Sequence, residues 1–414
     1  MLFSFALIFL AGLSAAALSE RIGLPRIIGM LAVGILLSPY TLGLLDSSTL
    51  SISSELRQIA LIIILIKAGL SLDLSDLRRV GRPAVMMSFV PACFEIAGYI
   101  MLAPMLLGVG RTEAAVMGAV LSAVSPAVVV PRMVKLIETG NGTNKSVPQM
   151  ILAGASCDDV FVIVLFSTFT AMAQGNSARL TSLLNIPVSI VSGVVLGAAT
   201  GLLIHMIFET RYKKGHKIRS TTKSILLLGT AFLLMSAESF AKPYIAVSGL
   251  LAVTAMANAV KARSEARVSA RLSEKFGKLW IAAEVVLFVL VGAAVDVRYT
   301  LTAGAAAVLM IFAALTFRAA GVFLCMLGTD LNAKERIFCI IAYLPKATVQ
   351  AAIGSVPLSL GLPCGKIVLS TAVLAILITA PLGAIGIDRT YSRLLLKTAA
   401  ADNSTERGLT RCRL

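Results

Sequence analysis

Long apolar stretches separated by short polar connectors constrain the fold of this chain more than any other feature. Hydrophobic residues occupy 57% of its 414 positions and charged residues only 14%. A helix needs roughly 20 apolar residues to cross a bilayer, and a backbone inside lipid must satisfy its own hydrogen bonds. The sequence therefore predicts an all-α membrane protein with about thirteen transmembrane spans. They lie at about residues 2–18, 27–44, 53–72, 83–108, 113–136, 148–172, 183–207, 222–240, 243–260, 279–296, 300–328, 337–358 and 365–387.

Lys and Arg are distributed unevenly between the connectors. The connectors after spans 1, 3, 5, 7, 9 and 11 and the C-terminal tail hold most of the 37 basic residues. Cytoplasmic connectors collect Lys and Arg, so the N-terminus is predicted outside and the C-terminus in the cytoplasm, in the plasma (cell inner) membrane. The net charge of +16 then reflects contact with anionic lipid headgroups. Nucleic acid is not an expected partner, because no aromatic residues interleave with the basic ones.

Two adjacent carboxylates, Asp158 and Asp159, lie in the middle of the apolar stretch of span 6. Burying one carboxylate in lipid costs about 3 kcal/mol on insertion scales, so such residues mark ion pairs, ion sites or water-filled cavities. Like charges this close do not both ionise cheaply, and at least one aspartate is expected to exchange protons near physiological pH. Adjacent helical residues point about 100° apart. The two aspartates are therefore expected to have different roles. Asp159 is expected to bind a cation or proton, and Asp158 is expected to form a proton-sensitive salt bridge with the buried Lys346 that breaks when the cation binds and so couples the two ions.

Spans 5 and 12 both contain residues that break helices. Pro126 and Pro131 lie in SPAVVVPR of span 5, and Pro345 and Gly354 lie in LPKATVQAAIGSVP of span 12. If spans 1–6 and 8–13 are two inverted repeats joined by span 7, each interruption falls in the fifth span of its half. Interrupted helices at matching positions expose helix ends and free backbone groups to an ion. The sequence therefore predicts crossed discontinuous helices and a transport site near the membrane midplane.

Further polar residues are predicted at a similar depth. Glu95, Arg318 and Lys346 fall in the inner part of spans 4, 11 and 12. A hard alkali cation takes oxygen ligands. The side chains predicted to bind such a cation and protons are those of Asp159, Asp158, Ser125, Ser156 and Thr348, with Asp159 as the cation's carboxylate. Because a carboxylate must lose its proton to coordinate a cation, cation binding releases H+, and this competition is an exchange mechanism. No cofactor is expected, since the Cys residues form no CxxC pair and His residues are few.

Five motifs, taken in order, resemble those of the monovalent cation/proton antiporter superfamily. They are GLPRIIGMLAVGILLSP, AGLSLDLSDLR, SPAVVVPRM, SCDDVFVIVLFSTF and LPKATVQAAIGS. The last two are most similar to the sodium/hydrogen exchanger B branch. The resemblance implies that Asp159 is the ion-binding carboxylate, that Asp158 is its partner and that Lys346 is the lysine of the second broken helix. It also implies an ion pair between Glu95 and Arg318.

The first interruption departs from the family pattern. Many members have Thr-Asp-Pro there, whereas this chain has Val124, Ser125 and Pro126. The resemblance therefore does not by itself support a side-chain ligand at this interruption, whereas the residue types alone suggest that role for Ser125.

The resemblance also implies a domain organisation and an oligomeric state. Spans 1–3 (residues 1–80) and 8–10 (209–298) would form a scaffold that dimerises, and spans 4–6 (81–180) and 11–13 (299–388) would form a core that moves like an elevator. Span 7 (181–208) would link the repeats, and residues 389–414 would form a basic cytoplasmic tail. The implied protein is a homodimer.

These observations predict a secondary active transporter that exchanges Na+ or Li+ for H+, not an enzyme. A K+/H+ antiporter and a Na+-coupled symporter of an organic solute remain alternatives. An intramembrane aspartyl protease is disfavoured, because its two aspartates lie on separate helices that face one another, whereas Asp158 and Asp159 are adjacent.

Overall fold

The computed structural model describes residues 1–71, 81–174, 180–213, 218–241 and 247–397. Helices dominate this part of the chain, and the β-pairing found within it is one isolated bridge between Asn141 and Lys397. The α-helices are α1 Leu2–Arg21, α2 Arg26–Leu37, α3 Ser47–Ser51, α4 Ser53–Ser71, α5 Arg82–Met87, α6 Val90–Leu107, α7 Arg111–Leu121, α8 Pro126–Glu138, α9 Val147–Ala173, α10 Leu180–Lys213, α11 Ser220–Ala241, α12 Gly249–Arg263, α13 Ala266–Ala293, α14 Val297–Cys325, α15 Ala333–Ala342, α16 Thr348–Ile353, α17 Val356–Ser359 and α18 Gly365–Leu394.

The all-α membrane fold is confirmed, since each predicted span contains helical structure among its described residues. Among the described residues, nine helical segments are long and apolar enough to cross a bilayer. The remaining predicted spans are the short α2, the more polar α4, the short α12 and the interrupted segment α15–α17. The number thirteen therefore stays a prediction.

The stretch 261–278 differs from its predicted form. Its basic residues indicated a cytoplasmic connector, but α12 continues to Arg263 and α13 already begins at Ala266. Leu272, Phe276 and Trp280 are buried at intervals of four residues, which places them on one face of the helix. This apolar stripe packs while the basic residues occupy other faces, so the segment is an amphipathic helix and not a loop.

Both predicted interruptions are present. Span 5 is divided into α7 and α8, and α8 begins at Pro126, a position where the missing N–H costs nothing. Span 12 is divided by a non-helical segment containing Pro345, and α16 ends at Ile353, directly before Gly354. Pro131 is different, because α8 continues through it to Glu138. Membrane helices tolerate an internal proline when neighbouring groups adjust to the lost hydrogen bond.

The most extensive helix contacts fall within two sets. In the first set, α2, α4 and α12 pack with α13 or with one another, and α10 packs along α12. In the second set, α6 packs on α14 and α7, α9 packs on α7 and α8, and α18 packs on α14 and α15. Small residues allow these close contacts: a side chain added at Gly98 of α6 would meet Phe317 of α14 at 2.9 Å.

Candidate functional site at the crossing of the interrupted helices

The two interruptions lie directly against one another. The backbone N–H of Ser125, in the first interruption, donates to the carbonyl oxygen of Pro345, in the second, at 2.8 Å. Gln350 of α16 donates from Nε2 to the carbonyl of Ala123 at 2.8 Å. Groups freed by one broken helix are thus satisfied by the other. The predicted crossing of discontinuous helices is confirmed.

Four charged side chains converge on this crossing from four different elements. Glu95 comes from α6, Asp158 from α9, Arg318 from α14 and Lys346 from the second interruption, and none is more than 1% exposed. Charges this deeply buried are tolerated when they are paired and hydrogen-bonded. The cluster contains two acids and two bases, so its formal charges balance.

Arg318 connects all parts of the cluster. Its Nη1 donates to Oε2 of Glu95 at 2.8 Å and also to the carbonyl of Ser122, and its Nη2 donates to Oδ2 of Asp158 at 3.3 Å. Its Nε donates to the carbonyl of Tyr343 at 2.6 Å. One planar guanidinium therefore reaches both acids and both interruptions, which a lysine ammonium, with its compact charge, does not reproduce. The expected ion pair between Glu95 and Arg318 is present.

Lys346 pairs with a different acid from the one expected. Its Nζ lies 2.5 Å from Oε2 of Glu95, whereas the sequence pattern suggested a bridge to Asp158. Oδ2 of Asp158 accepts instead from Arg318 and, at 2.7 Å, from the backbone N–H of Val124. The backbone N–H of Lys346 donates to Oγ1 of Thr379 on α18 at 2.9 Å.

Several oxygens near the crossing are buried without a hydrogen-bond partner among the described residues. They include Oδ1 of Asp158, Oδ1 of Asp159 and Oγ of Ser125, and also Oε1 of Gln350 and the hydroxyl of Tyr343. Buried polar atoms are nearly always hydrogen-bonded, so each exception needs an explanation. An all-oxygen set of this kind fits a hard alkali cation or a proton as the missing partner.

The remaining predicted ligands, and the two aspartates, differ in how far they are buried where the structure describes their side chains. Thr348 is buried as the first residue of α16. The side chain of Ser156 lies outside the described part of the structure. Asp159 is partly exposed, in contrast to the fully buried Asp158. The two neighbours therefore have different surroundings, as their positions on the helix require.

The sequence reasoning missed three residues that complete the crossing: Gln350, Thr379 and Tyr343. Gln350 and Thr379 are at most 1% exposed, and each holds a backbone group of an interruption. Tyr343 contributes its carbonyl to Arg318, and its ring lies 5.4 Å from the guanidinium. An amide in the middle of an apolar span was the available signal for Gln350.

A cavity of about 320 Å³ lies between the two sets of helices. Leu61 of α4 and Leu250 of α12 line one side, and Phe166 and Thr170 of α9 line the other. Phe166 and Thr170 follow Asp159 along α9 by two to three turns. The cavity therefore lies on the side of the carboxylates toward the end of α9, which the charge distribution predicts to face outward.

Comparisons with known proteins point in the same direction. The sequence profile described as "Sodium/hydrogen exchanger, transmembrane" matches residues 5–392. The chain is 34% identical to sodium/hydrogen exchanger 9B2 of Mus musculus over 389 residues, which cover 91% of this chain and 69% of that protein. It is 34% identical to the Homo sapiens 9B2 protein over 396 residues, 92% of this chain and 72% of that one. The sodium proton antiporter MjNhaP1 from Methanocaldococcus jannaschii, solved at pH 8, has a similar fold, with a TM-score of 0.82 at 20% identity and coverage of 94% and 97% of the two chains.

Proposed function

Because this chain belongs to the sodium/hydrogen exchanger family, we propose that it exchanges Na+ or Li+ for H+ at Asp159 and Asp158. Membership of this family means that the chain is an integral membrane transporter that performs cation/proton antiport. The observation that carries the choice of site is the set of buried carboxylate oxygens without hydrogen-bond partners, at the crossing of two interrupted helices.

Charge balance supports competition between the two ions. Glu95 and Asp158 are offset by Arg318 and Lys346, so Asp159 adds one negative charge to an otherwise neutral cluster. A proton or a monovalent cation each neutralises that charge. Since the carboxylate must lose the proton before it coordinates the cation, the two ions exclude one another. Oγ of Ser125 and the hydroxyls of Ser156 and Thr348 are proposed as additional ligands.

We further propose that the second set of helices moves against the first to expose the site alternately to the two sides of the membrane. The limited contacts between the sets, and the cavity between them, support such a movement. The moving core would comprise residues 81–180 and 299–388, and the scaffold residues 1–80 and 209–298, with 181–208 as a linker. The scaffold would also carry a homodimer contact.

The proposed location is the plasma (cell inner) membrane, with the N-terminus outside and the C-terminus in the cytoplasm. The support is the concentration of Lys and Arg in alternate connectors. These connectors would contact anionic headgroups. Residues 389–414 would form the basic cytoplasmic tail, of which 398–414 lie outside the described residues.

Replacing Asp159 by asparagine tests the assignment. The amide keeps the volume of the carboxylate but neither carries a proton nor neutralises a cation, so Asp159→Asn should abolish exchange and still assemble. The measurement is Na+- or Li+-driven proton flux in proteoliposomes, with no organic solute present. Glu274→Gln is a matched control, because Glu274 is 61% exposed and pairs with Lys278 on the surface of α13. Na+-dependent proton flux in the Asp159 variant would refute the site, and a response to K+ alone would replace Na+ by K+ as the substrate.

A further inference from the structure

The peptide unit that joins Ala123 to Val124 is held from both ends. Its carbonyl accepts from Nε2 of Gln350 at 2.8 Å, and its N–H donates to Oδ2 of Asp158 at 2.7 Å. The carbonyl and the N–H of a trans peptide unit point in opposite directions. Gln350 and Asp158 therefore lie on opposite sides of one rigid, planar group.

No helical hydrogen-bond ladder fixes this peptide, because it lies between the end of α7 at Leu121 and the start of α8 at Pro126. Its orientation depends on the groups that hold it. The amide of Gln350 is suited to this task, since Nε2 also lies 3.4 Å from the carbonyl of Leu121. Both neighbours of Nε2 are acceptors, so the chemistry fixes which end of the amide faces the interruption.

We propose that Gln350 is a positioning residue that orients the peptide between Ala123 and Val124 so that its N–H stabilises the ionised carboxylate of Asp158. This inference rests on the proposed function, in which Asp158 is part of the ion site. Gln350 acts through the peptide and contacts neither the carboxylate nor the ion. In this role for Gln350, the interruption of span 5 supplies a positioned hydrogen-bond donor to Asp158 and is not merely a break in the helix.

The inference predicts a change in proton competition. Hydrogen bonds to a carboxylate favour its charged form, and a hydrogen bond to a charged group is the stronger kind. When Gln350 is lost, the peptide is free to turn, the ionised form of Asp158 is less stabilised, and Asp158 takes up a proton more readily. Half-maximal exchange should then require a higher pH, and the apparent KM for Na+ at a fixed neutral pH should rise by about tenfold.

Gln350→Met tests this, because methionine keeps the length and the apolar part of the side chain and removes the donor. Thr371→Val is the matched control: Thr371 is fully buried on α18, and within the described part of the chain its hydroxyl bonds only the carbonyl of Ile367 in its own helix, at 2.7 Å. The expected result is a pH profile moved upward and a raised KM in the Gln350 variant, with kcat recovered at high pH and saturating Na+. The control should keep the wild-type profile.

A second measurement does not depend on transport. If Gln350 acts on Asp158, the losses of thermal stability in Gln350→Met and Asp158→Asn should not add in the double variant. Additive losses with an unmoved pH profile would show a merely structural glutamine and overturn the inference.

If the methionine variant fails to assemble, Gln350→Glu tests the inference instead. It keeps the side-chain length but donates only when protonated, so its activity should fall as the pH rises. Absence of exchange in the wild-type protein would instead refute the proposed function.

Discussion

Replacing Arg318 by methionine should destabilise the protein more than replacing any other buried base. Arg318 is fully buried and donates to Glu95, Asp158 and two carbonyl oxygens. Methionine fills much of the same space and supplies no donor. The variant tests whether this one guanidinium holds the crossing together.

The expected loss in free energy of unfolding follows from the hydrogen bonds and ion pairs that each partner of Arg318 retains in the variant. Glu95 retains Lys346 and Asp158 retains the N–H of Val124, so neither acid is left wholly unpaired. The carbonyls of Ser122 and Tyr343 each lose a donor at about 1 kcal/mol or more. Breaking a buried ion pair costs about 3–5 kcal/mol, and this range is expected for the Arg318 variant. Lys346→Met removes one contact to Glu95, which still pairs with Arg318, so it should lower the free energy of unfolding by about 1–3 kcal/mol.

Unfolding by SDS in mixed micelles, followed by fluorescence, would give the free energies of unfolding. Arg57→Met is the control for a buried arginine, because Arg57 is 7% exposed and donates to the carbonyl of Leu290 at a long 3.4 Å. The order of destabilisation should be Arg318, then Lys346, then Arg57. A cost for Lys346→Met equal to or above that of Arg318→Met would refute the central position of Arg318.

Two further predictions concern coupling and orientation. Lys346→Gln should shift the pH dependence of exchange or the charge moved per ion while Na+ binding persists, because it changes the charge balance around Asp159; an unaltered melting temperature, pH profile and current per ion would make the lysine purely structural. A single cysteine at His216, which lies outside the described residues, in a variant without native cysteines should react with an impermeant reagent only from the cytoplasmic side. Labelling from outside would reverse the orientation.

Much of the fold was predictable from hydropathy. The apolar stretches coincide with helices, the two interruptions occur where prolines and glycine predict them, and the resemblance to cation/proton antiporters is confirmed. Hydropathy failed for residues 266–278, because it averages over a window and misses a helix with one narrow buried stripe. It also could not tell Pro126, which begins a helix, from Pro131, which lies inside one.

The charged residues of the site were predicted, and so was the pair of Glu95 with Arg318, but the partners of Asp158 and Lys346 were not. Depth along a span places Glu95, Asp158, Arg318 and Lys346 in one layer, yet several pairings are compatible with one layer. The observed choice depends on helix rotation and on the path of the backbone through the interruptions. Lys346 meets Oε2 of Glu95, whereas Oδ2 of Asp158 is held by Arg318 and by the N–H of Val124. Which acid each base reaches depends on the three-dimensional arrangement of the helices and not on depth along a span alone.

The division of the charge cluster along the chain has a consequence for biosynthesis. Glu95 and Asp158 are made first, and the bases that pair with Glu95 follow it by 223 and 251 residues. At ordinary translation speeds this separation corresponds to roughly 10–50 s. The early helices must therefore enter the bilayer before the basic partners of Glu95 and Asp158 have been made. In that interval the protonated form of each acid has the lowest free-energy cost of burial in the bilayer. The cluster closes only after Lys346 has been inserted, so a ribosome that stalls before Arg318 leaves Glu95 and Asp158 without a basic partner.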